Sequence, residues 1–370
     1  MGRVERLVIS LALGAFLGTS VWGMEPVSAE EALQMRMEAD EFLASRPDGL
    51  QDRQTLSVRR AIAGDLSGLQ AVRKSRDNVQ TLSGNVIAED VRIPGPDGAV
   101  AIRIYRHSSP VSEKLPVLVY FHGGGWTFGS LNSCAAVCDV LARSGKVLVV
   151  GVDYRLAPEY PYPAPLTDCV AAFRYVCGHA SEWGGDPARV SVGGDSSGGN
   201  LALGVALQEA INGDAGMNPA SVVAVYPVLK AFAVPEEGSW SSYAKSYALD
   251  ACQMEAFDVA YTSGNDSIAR LPLVSPAMAS DTLLEQLPPV LIINAERDIL
   301  LDQGLEFASR LQQLGVRSRH ELLPGAVHLL VTLPGQPVAF ERTAGLMLEF
   351  LEFSSSDAGR EKQPCKENGI

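Results

Sequence analysis

The chain has 370 residues, 46% of them hydrophobic and 20% charged, enough apolar material for a large buried core and too ordinary a charge content for a disordered or fibrous protein. Its 30 Lys+Arg against 43 Asp+Glu give a net charge of -13, which disfavours DNA, RNA and anionic membrane surfaces as partners.

In chain order, Arg3 and Arg6 precede a mainly apolar stretch from Leu7 to Gly23, the layout of a secretory signal peptide. Residues 1–24 are therefore expected to direct export to a secreted or periplasmic location, with a membrane-anchored or cytoplasmic protein as the alternatives. No other run reaches eighteen uninterrupted apolar residues, so no further membrane crossing is expected. Amino-terminal membrane association and a homo-oligomer are both compatible with this reading.

Residues 25–85 read as helices and are assigned to the amino-terminal part of a cap. Arg59 and Arg60 in this region read as a solvated helical face, because no phosphate-binding loop accompanies them. From residue 86 the texture turns β-like: NVIAEDVRI, AVAIRIYRH, PVLVYF, VLVVGVDY, RVSVGG, SVVAVYP, PVLIINA and RSRHELL are strand candidates. Helical segments around 133–143, 166–178, 198–211 and 303–314 separate the later ones, so the order predicts a mixed, mostly parallel sheet flanked by helices. Residues 227–280 interrupt that rhythm with prolines, aromatics and one helical candidate around 250–261. A final helix is expected around 338–353, followed by a mobile polar tail over 354–370.

The six cysteines lack the paired CxxC spacing of a structural zinc site and read as buried thiols. No metal is expected. Chemistry is carried instead by Gly194-Asp195-Ser196-Ser197-Gly198, a GxSxG directly after a strand and opening a helix, where small neighbours leave the Ser196 hydroxyl exposed above a sheet. His122-Gly123-Gly124-Gly125 follows another strand. The amides of Gly123, Gly124 and Ser197 are candidate donors to the oxyanion of a tetrahedral acyl-transfer intermediate, with Gly125 permitting the loop geometry. His122 itself is expected to be structural.

Ser196 needs a base, and His328 in LLPGAVHLL follows the last strand candidate. It must start neutral to accept the serine proton. Asp298, directly after PVLIINA and thirty residues before His328, is the expected orienter, with Asp302 and Glu296 as rivals. The order Ser196, Asp298, His328 is that of the α/β-hydrolases.

Together, HGGG at 122–125, DYRLAPE at 153–159, GDSSGG at 194–199, the aspartate of ERDIL and the histidine of PGAVH resemble the hormone-sensitive-lipase-like family of α/β-hydrolases, the bacterial group IV esterases, over roughly residues 25–353. The resemblance implies an eight-stranded core over 86–226 and 281–353 beneath a helical cap built from 25–85 and 227–280. It also implies cofactor-free hydrolysis of small or medium acyl esters, with Ser196 as nucleophile, Asp298 as acid and His328 as base. Glu159 and Asp195 fall at positions that organise the loop and the nucleophile. Two departures are Ser197, where alanine is common, and Leu330, where many relatives carry an aromatic.

Trp126, Trp240, Tyr243 and Phe257 are candidate pocket aromatics. The competing functional readings are an amidase, lactonase or deacetylase on the same site, and a catalytically silent small-molecule receptor.

Overall fold

The computed structural model describes residues 25–109, 113–213, 217–232, 234 and 237–357. The signal-peptide expectation over 1–24 lies outside the described residues, as does the tail from 358 onward. The expected tail boundary at 354 is corrected. The last helix runs on to Asp357, with Ser354 buried and its hydroxyl donating back to the Phe350 carbonyl at 2.8 Å.

Eight strands form one sheet: β1 (Val86–Gly95), β2 (Gly98–His107), β3 (Leu115–Phe121), β4 (Leu148–Asp153), β5 (Gly185–Asp195), β6 (Val222–Val225), β7 (Val290–Arg297) and β8 (Ser318–Val327). Their order is β1-β2-β4-β3-β5-β6-β7-β8. The β1–β2 hairpin and the β2–β4 pair are antiparallel, and every pair from β4 through β3 to β8 is parallel. The expected mixed, mostly parallel sheet of an α/β-hydrolase is what forms.

Twelve α-helices accompany it among the described residues: α1 (Ala29–Ser45), α2 (Leu50–Ile62), α3 (Ser67–Arg76), α4 (Ala135–Arg143), α5 (Ala164–His179), α6 (Ser197–Asn212), α7 (Gly238–Ser242), α8 (Ala251–Thr262), α9 (Asp266–Ala269), α10 (Asp281–Leu284), α11 (Leu301–Gln313) and α12 (Pro337–Asp357). The strands are apolar on both sides because helices cover both sides. Along β3, Val117, Val119 and Phe121 join one core cluster with residues of α5 and α6. Leu118 and Tyr120 join the other, with residues of α4 and α12. Side chains alternate across a strand, so one run of apolar residues fills two cores.

The amino-terminal helices fold back over this layer. A capping box starts α1: Ser28 Oγ accepts from the Glu31 amide at 3.1 Å, and Glu31 Oε2 accepts from the Ser28 amide at 2.9 Å, satisfying two donors a helix start would otherwise leave open. From there α1 packs on β8 and α12, while α2 packs on α3 and α8. Helices from both 25–85 and 227–280 therefore meet, α2 against α8.

Candidate active site

Between β5 and α6 the chain reverses direction within one residue. Ser196 takes φ 56° and ψ -119°, a conformation an L-residue holds only under tertiary constraint. Its neighbours show why they are glycines. A Cβ on Gly194 would sit 2.3 Å from the Phe121 carbonyl oxygen, and one on Gly198 would sit 1.9 Å from the same atom. Any larger residue would drive β5 and α6 off β3.

His328 lies just beyond β8 and reaches back across the sheet edge. Its Nε2 is 3.0 Å from Ser196 Oγ, and its Nδ1 is 2.5 Å from Asp298 Oδ2. An ionised carboxylate only accepts, so Nδ1 carries the proton and Nε2 is left to accept from the serine hydroxyl. Asp298 Oδ1 takes the Leu300 amide at 3.0 Å, and the Tyr226 ring lies against the imidazole with centroids 4.4 Å apart. All three side chains are buried. The rival carboxylates are engaged elsewhere: Asp302 accepts from the Ser239 amide at 2.7 Å, and Glu296 from the Gly325 amide at 2.5 Å. The other histidines are also occupied, His107 with Asn85, His179 with the Tyr175 carbonyl and His320 with Asn294.

The loop after β3 sits beside Ser196. Gly124 has φ +123° and Gly125 φ +60°, and a Cβ on Gly125 would lie 2.2 Å from the Phe257 ring. The amides of Gly124 and Ser197 donate to no described group. The expectation that the Gly123 amide is an oxyanion donor is corrected: its N–H donates to Asp195 Oδ1 at 3.0 Å. His122 makes no described hydrogen bond to Ser196. Its ring stacks on Tyr154 at 4.3 Å, Nδ1 donates to the Gly123 carbonyl at 2.9 Å, and burial pushes its pKa down so that it stays neutral.

The alpha/beta hydrolase fold family matches residues 118–332. The carboxylesterase NlhH of Mycobacterium tuberculosis is 38% identical over 240 residues, 64% of this chain and 73% of NlhH. The carboxylic ester hydrolase LipN of the same organism is 34% identical over 252 residues, 67% of this chain and 65% of LipN. Among solved structures, carboxyl esterase 2 of the mycorrhizal fungus Tuber melanosporum superposes with a TM-score of 0.72 at 27% identity, covering 86% of this chain and 98% of that one. The chain belongs to the α/β-hydrolase fold family, in its hormone-sensitive-lipase-like branch.

In this α/β-hydrolase, Asp195 is the hub of the nucleophile's surroundings. Besides the Gly123 amide it accepts from Tyr120 Oη at 2.9 Å and from Thr332 Oγ1 at 2.9 Å. One carboxylate thereby ties the β3 loop, the residue before Ser196 and the segment after His328 together. The hydrolase's Glu159 accepts a two-pronged contact from Arg73 of α3, at 2.6 and 2.9 Å, and Arg73 also donates to the carbonyls of Thr127 and Ala157. Arg155 of the same DYRLAPE stretch grips buried Asp168.

Tyr120, Thr332, Arg73 and Tyr226 carry these contacts and are absent from the sequence-derived site. Arg73 and Glu159 are 86 residues apart, and only the polar residues flanking each motif hinted at partners. Of the candidate aromatics, Trp126 is buried and stacked on Tyr261 at 4.3 Å, Phe257 packs edge-on to Phe128, and Tyr243 packs against Tyr247. Trp240 lines a separate cavity of about 440 Å³ with Asp302. Leu330, at the position of a common aromatic, lines a mainly apolar cavity of about 430 Å³ with Ala136, Val331 and Phe340. The five described cysteines are unpaired, three of them buried.

Proposed function

We infer that this chain is a serine carboxylesterase hydrolysing small or medium acyl esters through an acyl-serine intermediate. The observation that carries the reading is the continuous Asp298–His328–Ser196 hydrogen-bond chain at 2.5 and 3.0 Å, on a strained turn above the sheet. Similarity to a carboxylesterase and a carboxylic ester hydrolase supports it.

In the proposed cycle His328 Nε2 takes the hydroxyl proton as Ser196 Oγ attacks the ester carbonyl, and Asp298 steadies the imidazolium. The oxyanion is received by the free amides of Gly124 and Ser197, with Gly123 holding the loop through Asp195. His328 then returns the proton to the departing alcohol. Water, activated by the same imidazole, releases the carboxylic acid.

The test is turnover of p-nitrophenyl esters from acetate to octanoate by wild type and Ser196→Ala, with amide and lactone substrates alongside. Turnover of the shorter esters that Ser196→Ala abolishes is the expected result. Equal turnover by both proteins, with contamination excluded, would overturn the assignment.

Arg3 and Arg6 ahead of the apolar stretch Leu7–Gly23 support export. No described helix is long and apolar enough to cross a membrane. Fractionating cells that express the full chain tests this, and activity confined to the cytoplasm would reject it.

A further inference from the structure

A cavity of about 190 Å³ opens beside the β3 loop, walled by Gly123, Gly124, Phe128, Leu329 and Thr332. It therefore adjoins both the free amide of Gly124 and the segment directly after His328. In a chain of net charge -13 its lining is unusual, because it contains Arg76 and no acidic residue.

Arg76 ends α3, three residues after Arg73. The two differ in how their charge is met. Arg73 is neutralised by Glu159, whereas Arg76 makes no ion pair or side-chain hydrogen bond to any described residue, and lies over the Phe128 ring with its central carbon 5.2 Å from the centroid. A second arginine adds to the positive field at Arg76. Arg46, just past α1, has its Nε buried without a hydrogen-bond partner and its guanidinium over Phe42.

Burial, then the charge of Arg46, push the Arg76 pKa down to about 10, against the opposing pull of Asp195. Burial also lowers Arg46, with Asp250 opposing. Both remain cations at neutral pH. A half-buried guanidinium with no anionic partner is an arrangement that an incoming anion relieves, and a guanidinium fork matches a carboxylate in particular.

We propose that Arg76 forms a carboxylate-binding subsite beside Gly124, and that the preferred substrates are esters bearing a second, ionised carboxyl group. The assignment rests on the ester-hydrolase reading and narrows its substrate class. For a half-ester such as monoethyl succinate, water cleaves the acyl–oxygen bond and gives the succinate dianion, ethanol and one proton. The group held by Arg76 undergoes no chemistry and contributes orientation and affinity.

Two isosteric pairs test it: monoethyl succinate against ethyl 4-methylpentanoate, with the charge on the acyl side, and acetoxyacetate against isobutyl acetate, with the charge on the alcohol side. Wild type is expected to favour the charged member of at least one pair, and the responding pair identifies the side. Arg76→Gln should lower that charged-to-neutral ratio of kcat/KM on the order of ten- to a hundredfold, mainly through KM. Arg76→Lys should recover part of it, and Arg60→Gln, at an exposed position of α2, should leave it unchanged.

Inhibition of neutral-ester hydrolysis by succinate should weaken in parallel. If Arg76→Gln does not fold, the same ratio in Arg76→Lys is expected to lie below that of wild type. A wild type without charge preference, or a ratio unmoved in both Arg76 variants, would overturn the subsite. A wild type inactive on every ester would overturn the parent reading instead.

Discussion

Asp195 and Asp298, at the carboxyl edge of the sheet, are both saturated. Asp195 accepts from Tyr120, Gly123 and Thr332, and Asp298 from His328 and the Leu300 amide. In the amino-terminal helices, Arg46 and Arg76 are half-buried with rings for neighbours and no carboxylate bonded to them. The contrast separates two tasks. A reacting constellation needs every polar atom held in one position before substrate arrives, whereas a recognition site keeps donors open for a group that substrate supplies.

The sharpest way to break the saturated edge is at its centre. Ser196→Ala should lower kcat on the order of 10⁵- to 10⁶-fold and abolish labelling by a fluorophosphonate, while leaving the fold intact. Asp298→Asn should cost about 10⁴-fold in kcat by favouring the wrong imidazole tautomer. Asp302→Asn should change kcat by less than about threefold, because its carboxylate serves the Ser239 amide and not the imidazole. Comparable losses in the two aspartate variants would dissolve the distinction between orienter and bystander.

Effects on stability come next. Gly125→Ala forces a Cβ at φ +60° into the Phe257 ring, at the contact between the β3 loop and α8. It should destabilise the fold by about 1–3 kcal/mol, measured by denaturant unfolding, and combined with Phe257→Ala it should cost less than the sum of the two single losses. Thr332→Val removes one of three donors to Asp195 and should cost about 1–2 kcal/mol.

The smallest effect belongs to the tie between the layers. Glu159→Gln should cost about 1 kcal/mol at neutral pH, since the pair with Arg73 is partly exposed. Burial raises the Glu159 pKa, but the hydrogen bonds and charge of Arg73 outweigh it and hold the folded value below the ordinary 4.5. The carboxylate contribution is therefore complete above pH 4.5 and is lost as the pH falls through the lower folded value. The difference in melting temperature between wild type and Glu159→Gln should close in acid, and a difference that widened there would contradict the pairing.

Much of the sheet could be read in advance because each strand is a run of apolar, β-branched residues bounded by turn signals, as in Val117–Phe121 and Val290–Ala295. The short helices α7, α9 and α10 escaped because four or five residues carry no periodicity. At the site, Ser196 and His328 were legible from the spacing of small residues and strand ends. The choice among Asp298, Asp302 and Glu296 rested on position alone until the hydrogen bonds separated them. Gly123 was misassigned for a related reason. A glycine reports that the backbone comes close to something, and only the structure shows that the partner of its amide is Asp195 rather than open space.

What the sequence determined by itself was the order of the elements and the chemical type of the groups at their ends, because apolar periodicity and glycine placement are local constraints written residue by residue. Tertiary structure alone decided which polar groups found partners. Arg73 and Arg76 lie one helical turn apart in the same basic segment, yet one is tied to Glu159 and the other looks into a carboxylate-free cavity. That difference depends on side chains dozens of residues distant, brought close by the folding of the helical layer onto the sheet.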